Sequence, residues 1–295
     1  MRTLKAALAL LIITLSFLSG QAQTRFDNLE FKQFSTPEGL PNSMVHQVYQ
    51  DRDGYIWIST FYGLFRYDGY EVRTYKSNLY TPGLLVNNNV ICVEEDYSHR
   101  LWIGTHEGLC VLDKQTGKMR KMKLEGISKH RLNEIHVTKD NKVYLGYIRG
   151  MACYNAELDT LELMTSKNCK GEVPEQINIQ TLLEDENGDL LIGTWQDGLF
   201  HYNIKENKFT HYPPLDESNS VLALFQDSKG ALWVGTSGSG LYKVNFSPDK
   251  KTLSVEKAYK HDALNTLSLS SDYIYSIHED LQTHSLWLGT RNGVS

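Results

Sequence analysis

Trp195 stands in the stretch Thr-Trp-Gln-Asp-Gly, and its indole is one of few large aromatic groups placed where a loop rather than a strand is expected. Around it the chain offers groups suited to holding a polar ligand. One set of loops contributes Asn88 and Asn89, His130, Asn178 and Gln180, and Asn219; a second set contributes Tyr62, Arg149, Trp195 and Arg291. Amides pair donors with acceptors, as the hydroxyls of a sugar do. A flat indole can stack on a sugar ring while its N–H stays hydrogen-bonded. An arginine can hold a carboxylate or sulfate through two parallel bonds. These ten residues are the candidate ligand-binding set, and the competing reading of each alone is turn chemistry or a solvated side chain.

Motifs for other chemistry are missing. The sequence has no HExxH, GxSxG or phosphate-loop pattern, and no CxxC that would suggest metal or redox chemistry. The stretches "DRDG" from Asp51 and "DENGD" from Asp185 cluster oxygen atoms, but both lack the twelve-residue calcium loop and its final Glu. Turn chemistry accounts for them, and neither metal nor cofactor is expected. His46, His136 and His278 fall in apolar strand patterns. That leaves a pore-lining role open to them, and with it a lyase or glycosidase as an alternative.

The elements that must position these residues are repeats. "YIWISTFYGLFRYD" from Tyr55 recurs as "RLWIGTHEGLCVLD" from Arg100, "VYLGYIRGMACYN" from Val143, "LLIGTWQDGLFHYN" from Leu190, "LWVGTSGSGLYKVN" from Leu232 and "LWLGTRNGVS" from Leu286. The anchors Trp57, Trp102, Tyr144, Leu191, Trp233 and Trp287 are spaced by 45, 42, 47, 42 and 54 residues, a period that means a solenoid or a propeller. Each repeat reads as four strands. The first is apolar and ends in Asp (Asp51, Asp96, Asp185, Asp227, Asp280), with a weaker third copy ending at Asp140. A tight turn, the Trp-Ile-Gly-Thr strand, a loop closed by Gly-Leu, a third strand and an alternating fourth strand follow. An apolar first strand suggests burial on both faces, and an alternating fourth strand a wet edge. The expected class is therefore all-β, a β-propeller of four-stranded blades. The anchors then act as wedges between blades, and Gly63, Gly108, Gly150, Gly198, Gly240 and Gly293 serve turn geometry. The array stops at Ser295 in the third strand of the sixth tile. That suggests an N-terminal fragment with five complete blades and a truncated sixth, cut from a parent of about seven. Leu29–Ser35 matches the fourth-strand pattern and is a candidate to complete a last blade.

Composition agrees. The 295 residues are 41% hydrophobic and 11% aromatic, enough for a large core. The net charge is -5 without a basic stripe, which argues against nucleic acid as a partner. Residues 1–22 read as a signal peptide: Arg2 and Lys5, an apolar run from Ala6 to Leu18, then Gly20-Gln21-Ala22. The run is 13 residues, against the roughly 20 that a membrane span needs. Residues 23–295 form the propeller, expected outside the cytoplasm. Cys92, Cys110 and Cys153 sit within strand patterns, as small buried apolar residues do, so the four cysteines (with Cys169) read as free thiols.

"LPNSMVHQVYQDRDGYIWISTFYGLFRYDG", Leu40 to Gly69, resembles the two-component regulator propeller repeat. The resemblance covers about residues 26 to 295 and is specific in repeats one, two, four and five; repeat three departs from it with Tyr144-Leu145-Gly146-Tyr147. It implies the extracytoplasmic sensor region of a hybrid two-component system histidine kinase. Relatives carry two propellers, a β-sandwich, a transmembrane helix, a histidine kinase and a receiver with a DNA-binding module. They sense oligosaccharides and switch on genes for glycan breakdown. Implied here are a periplasmic location, an oligosaccharide ligand and a homodimeric full-length parent at the inner membrane. Kinase activity and membrane attachment would belong to absent C-terminal segments. A propeller that docks another protein is the alternative from a different class.

Overall fold

The structure is a computed structural model that describes residues 44–78, 84–122, 131–215, 220–247 and 250–295. The chain divides into two compact units, Met1–Gly39 and Leu40–Ser295, and every described residue belongs to the second. The signal segment, Leu29–Ser35, His130 and Asn219 lie outside the described residues.

The described residues contain strands and no helix, in six small sheets. Blade 1 holds β1 (Val45–Gln50), β2 (Ile56–Thr60), β3 (Gly63–Tyr67) and β4 (Val72–Tyr75); blade 2 holds β5 (Val90–Glu95), β6 (Arg100–Thr105), β7 (Gly108–Asp113) and β8 (Met119–Met122). Blade 3 holds β9 (Leu132–Val137), β10 (Val143–Tyr147), β11 (Gly150–Asn155) and β12 (Thr160–Met164). Blade 4 holds β13 (Lys170–Gly171), β14 (Ile179–Glu184), β15 (Leu190–Thr194), β16 (Leu199–Asn203) and β17 (Lys208–Tyr212); β13 adds a short parallel strand outside β17. Blade 5 holds β18 (Val221–Gln226), β19 (Leu232–Thr236), β20 (Leu241–Phe246) and β21 (Leu253–Tyr259). Blade 6 has three strands, β22 (Ile274–Asp280), β23 (Ser285–Thr290) and β24 (Gly293–Val294). The first strands pack in chain order around one axis, β1 on β5, then β9, β14, β18 and β22. This is the expected β-propeller.

Local chemistry repeats with the tile. Asp51 ends β1, and its Oδ1 accepts the N–H of Asp53 at 3.1 Å and of Tyr55 at 2.9 Å, which makes the turn into β2. Its Oδ2 accepts the indole N–H of Trp57 at 2.8 Å. Asp96 does the same for Ser98, Arg100 and Trp102, and Asp227 for Lys229, Ala231 and Trp233. One carboxylate thus shapes a turn and satisfies a buried indole. Blade 3 corrects the sequence reading. Thr138, not Asp140, holds this position, and its Oγ1 accepts the N–H of Lys142 at 3.0 Å. Asp140 sits in the turn itself.

Between blades the anchors behave as wedges. Trp57 packs with Leu85, Val90, Leu101 and Cys110 of the next blade. Trp102 packs with Leu132, Val143 and Tyr154, and Trp233 with Ile274 and Leu288. Tyr144 and Leu191 join the cores formed with blades 4 and 5. The glycine two residues after the anchor in blades 2 to 5 has a packing role that its sequence did not reveal. A Cβ on Gly146 would lie 2.6 Å from Cγ2 of Ile179, and one on Gly193 2.6 Å from Cγ1 of Val221. The first residues of β9, β14, β18 and β22 therefore seat on the backbone of the blade before. Gly63 and Gly108 have φ of +135° and +140°, so the loop between second and third strands needs them. Burial on both faces holds for β5 but not for β1 or β22, which are half-exposed. These are the first and last inner strands, and among the described residues each packs on one neighbouring blade. Cys92 and Cys110 are buried, Cys153 and Cys169 half-buried, and all four are free.

Candidate functional site

Two sets of loops meet on one face, and the backbone ties them together in blades 2 to 6. The residue following the second strand donates its N–H to a carbonyl just before the same blade's first strand. The pairs are His106 to Asn89 (2.9 Å), Ile148 to Arg131 (3.3 Å), Trp195 to Asn178 (2.8 Å), Ser237 to Ser220 (3.1 Å) and Arg291 to Tyr273 (3.2 Å). The main chain of this face is thus nearly the same from blade 2 to blade 6, while the side chains differ.

The predicted residues fall into three sectors. Blades 3 and 4 bring together Arg149, Asn178, Gln180 and Trp195. The Trp195 side chain stands out from the loop, 41% exposed. Asn178, whose carbonyl holds the Trp195 N–H, has its Oδ1 accept the Asn133 amide at 2.8 Å and the Gln180 amide at 2.8 Å. Asn133 Nδ2 also donates to the Ile179 carbonyl at 2.6 Å, while its Oδ1 is enclosed and has no hydrogen-bond partner. The carbonyl of Arg149 accepts the N–H of Gln176 at 3.0 Å, which holds the Arg149 loop against the loop leading into blade 4. Asn133 lies within β9, at the start of that strand, rather than in the loop that leads into it.

Tyr62, Asn88 and Asn89 lie in a separate sector, in blades 1 and 2. Tyr62 is exposed, and Asn89 Oδ1 lies 3.0 Å from Nε2 of His46. Asn88 Oδ1 accepts the N–H of Ser77 at 2.7 Å, so part of its capacity holds its own loop. Arg291 belongs to blade 6, with its guanidinium 5.2 Å from the centre of the Tyr273 ring.

The inner strands add the carboxyls of Glu94, Glu134 and Glu184, which the loop-centred reading overlooked, beside His136. Glu94 Oε2 accepts the N–H of Val137 at 3.1 Å, and Glu184 Oε2 that of Lys139 at 2.9 Å, so carboxylates bridge adjacent blades. Burial raises the Glu134 carboxyl to about 8 and pushes that of Glu94 well above the usual range, helped by Glu134. Burial lowers the His136 imidazole to about 4, so it is neutral at pH 7. Burial also pushes the Cys92 thiol up. The signal in the sequence was an acid inside an apolar strand, in "VICVEED" and "LNEIHV".

A tandem array of four-stranded blades with a conserved frame and variable loops on one face defines a propeller that displays side chains from a fixed backbone. Residues 39–62, 84–107 and 216–238 match the family described as two component regulator propeller. A segment of 67 residues, 23% of the chain, is 34% identical to histidine kinase P4 of Formosa agariphila and covers 5% of it. The extracellular domain of a hybrid two component system from B. thetaiotaomicron matches with 26% identity and a TM-score of 0.60, over 87% of this chain and 38% of that one. Virginiamycin B lyase from Staphylococcus aureus shares the fold alone, at 10% identity and a TM-score of 0.64 over 86% of this chain and 84% of the lyase. Segments of blades 1, 2 and 5 match the two component regulator propeller repeat, and the chain is similar to extracellular domains of hybrid two component systems. It spans well under half the length of those relatives, 38% of the solved domain and 5% of the kinase.

Proposed function

We propose that this propeller is the extracytoplasmic, periplasmic sensor region of a hybrid two component signalling protein. In this reading the loop face of blades 3 and 4 receives an oligosaccharide, and binding regulates polysaccharide utilisation through a larger, dimeric parent. The observation that carries the ligand class is the exposed indole of Trp195, held by its own backbone bond to Asn178, whose side chain joins the amides of Asn133 and Gln180. An aromatic platform and side-chain amides match the apolar faces and hydroxyl edges of a sugar ring. Arg149 adds a grip for a carboxylate or sulfate on an acidic sugar.

Calorimetric titration of the purified chain with a panel of neutral and acidic oligosaccharides tests this reading. At least one is expected to bind, and Trp195→Ala is expected to weaken that binding at least tenfold while leaving the melting temperature unchanged. Binding by the folded Trp195→Ala protein at the parent's affinity would remove the stacking role. The appearance of new reducing ends or unsaturated products during incubation would replace the sensor with an enzyme.

A further inference from the structure

The opposite face carries a different arrangement in blade 4, where three departures from the repeat converge. Leu191 stands where blades 1, 2 and 5 have the tryptophan, so Asp185 has no indole N–H to bind. Asp185 still shapes its turn, with Oδ1 accepting the N–H of Asn187 at 2.8 Å and of Asp189 at 3.1 Å. Oδ2 is left facing a crevice between blades 4 and 5, of about 800 Å³. The second departure is Asp189, in the place of Tyr55, Arg100 and Ala231 of other blades. The third is His201, directly across the ladder from Leu191.

These side chains aim at one point. Nε2 of His201 lies 3.3 Å from Asp189 Oδ2 and 4.0 Å from Asp185 Oδ2. The three donor atoms fit within 4.8 Å of one another, and all three residues are buried. His201 is only 5% exposed, yet its Nε2 makes no hydrogen bond. An enclosed nitrogen without a partner is costly and calls for an occupant. Lys250, from the far turn of blade 5, reaches this trio, and Lys208 and Lys251 also line the crevice. The Lys250 ammonium pairs with Asp185 Oδ2 and lies 3.7 Å from Asp189 Oδ2. Asp185 and Asp189 thus bring two carboxylates to His201, against the one ammonium of Lys250 that pairs with them.

We propose that Asp185, Asp189 and His201 form a binding site for a divalent transition metal ion of the zinc class, with Lys250 as a built-in competitor. Nitrogen and carboxylate donors suit such an ion, which takes three protein ligands and a fourth, exchangeable one. Donors bound at about 2.1 Å in a tetrahedral array lie roughly 3.4 Å apart. The His201–Asp189 distance already matches, and the two remaining gaps close with small side-chain movements. His201 presents Nε2 to the crevice, the ring nitrogen that a metal of this class binds. Two carboxylates neutralise one divalent ion once Lys250, a quarter exposed at its side chain, swings outward. The site would tie the turn of blade 4 to the third strand of the same blade, in the place that the tryptophan fills elsewhere.

The test uses the untagged full chain with Zn²⁺ alone, measured by retained metal after dialysis and by competition with a chelator, and with Co²⁺ alone, read by its visible absorption. One Zn²⁺ per chain and the strong absorption of four-coordinate Co²⁺ are expected. His201→Gln is expected to lose at least about tenfold in affinity, since even outer-shell partners of metal ligands cost that much. Lys250→Met is expected to bind Zn²⁺ more tightly than the parent and to regain with Zn²⁺ the melting temperature it loses without it. Asp189→Asn serves as a second ligand variant should His201→Gln not fold. Failure of the parent to retain metal, His201→Gln or Asp189→Asn binding as the parent does, or Lys250→Met binding no more tightly would each overturn the proposal.

Discussion

At the scale of single residues, the aspartate that ends each first strand does more than its turn requires. Asp96 is fully buried, accepts two backbone N–H groups and the Trp102 indole, and is paired with Arg100 at 2.6 Å. Asp96→Ala leaves all of these unpartnered, so we expect a loss of about 3 kcal/mol or more, read from the urea denaturation midpoint. Glu134 has a different energetic character. The folded carboxyl holds its proton up to about 8, while an ordinary one releases it near 4.5. Its contribution to stability therefore falls as pH rises between those values. His136 acts in the opposite sense below 6.5, because its folded value of about 4 means that stability rises with pH there. Cys92 and Glu94 face the same region and share its low polarity. Glu134→Gln is thus expected to melt above the parent at pH 8 and close to it at pH 5, as followed by circular dichroism. An equal shift at both values would mean that the carboxyl is not held neutral. The wedge role of the tryptophans was legible in their spacing. The bond from each indole to its aspartate was not, because a six-residue separation says nothing about which way either side chain turns.

At the scale of elements, the order of strands and the position of nearly every turn could be read from hydrophobic pattern and glycine placement. The third repeat looked least regular, yet it forms an ordinary blade. Thr138 replaces the aspartate and Tyr147 the threonine, and the ladder pairing survives both. Backbone pairing and the apolar faces carry that blade, so the motif letters are dispensable one at a time. The glycine of the second strand is constrained in blades 2 to 5, and sequence alone concealed why. Its constraint comes from a residue about 30 positions later, in another sheet. A methyl group on Gly146 meets Ile179, which is itself fully buried and packed on all sides. Gly146→Ala is expected to cost about 1–3 kcal/mol, seen as a lower denaturation midpoint. Ser59 occupies the matching position in blade 1, where its buried hydroxyl has no hydrogen-bond partner. The short strand β13 was unreadable, since two residues carry no periodicity.

At the scale of the whole molecule, each blade leans on the one before it and the one after it, so stability is shared between intrinsic blades and the joints between them. That arrangement explains why the candidate site was only partly legible. Loop membership places a residue on the correct face, but the ten predicted positions spread over several blades, and sequence cannot say which blades act together. Trp195, Asn178, Gln180 and Arg149 converge because blades 3 and 4 are neighbours. Arg291 does not join them, being two blades further on. The crevice of Asp185 and His201 was hidden for a related reason. Its donors come from a turn and a third strand, and only the missing indole opens the space between them.

The backbone tie that recurs from His106 to Arg291 has a consequence for how such a protein changes. The hydrogen bond uses main-chain atoms only, so the side chain it carries is free to be any residue that fits. Natural drift can therefore retune recognition one spoke at a time without disturbing the wheel. The same five addresses would accept a randomised library, whose members should fold alike and differ only in what they hold.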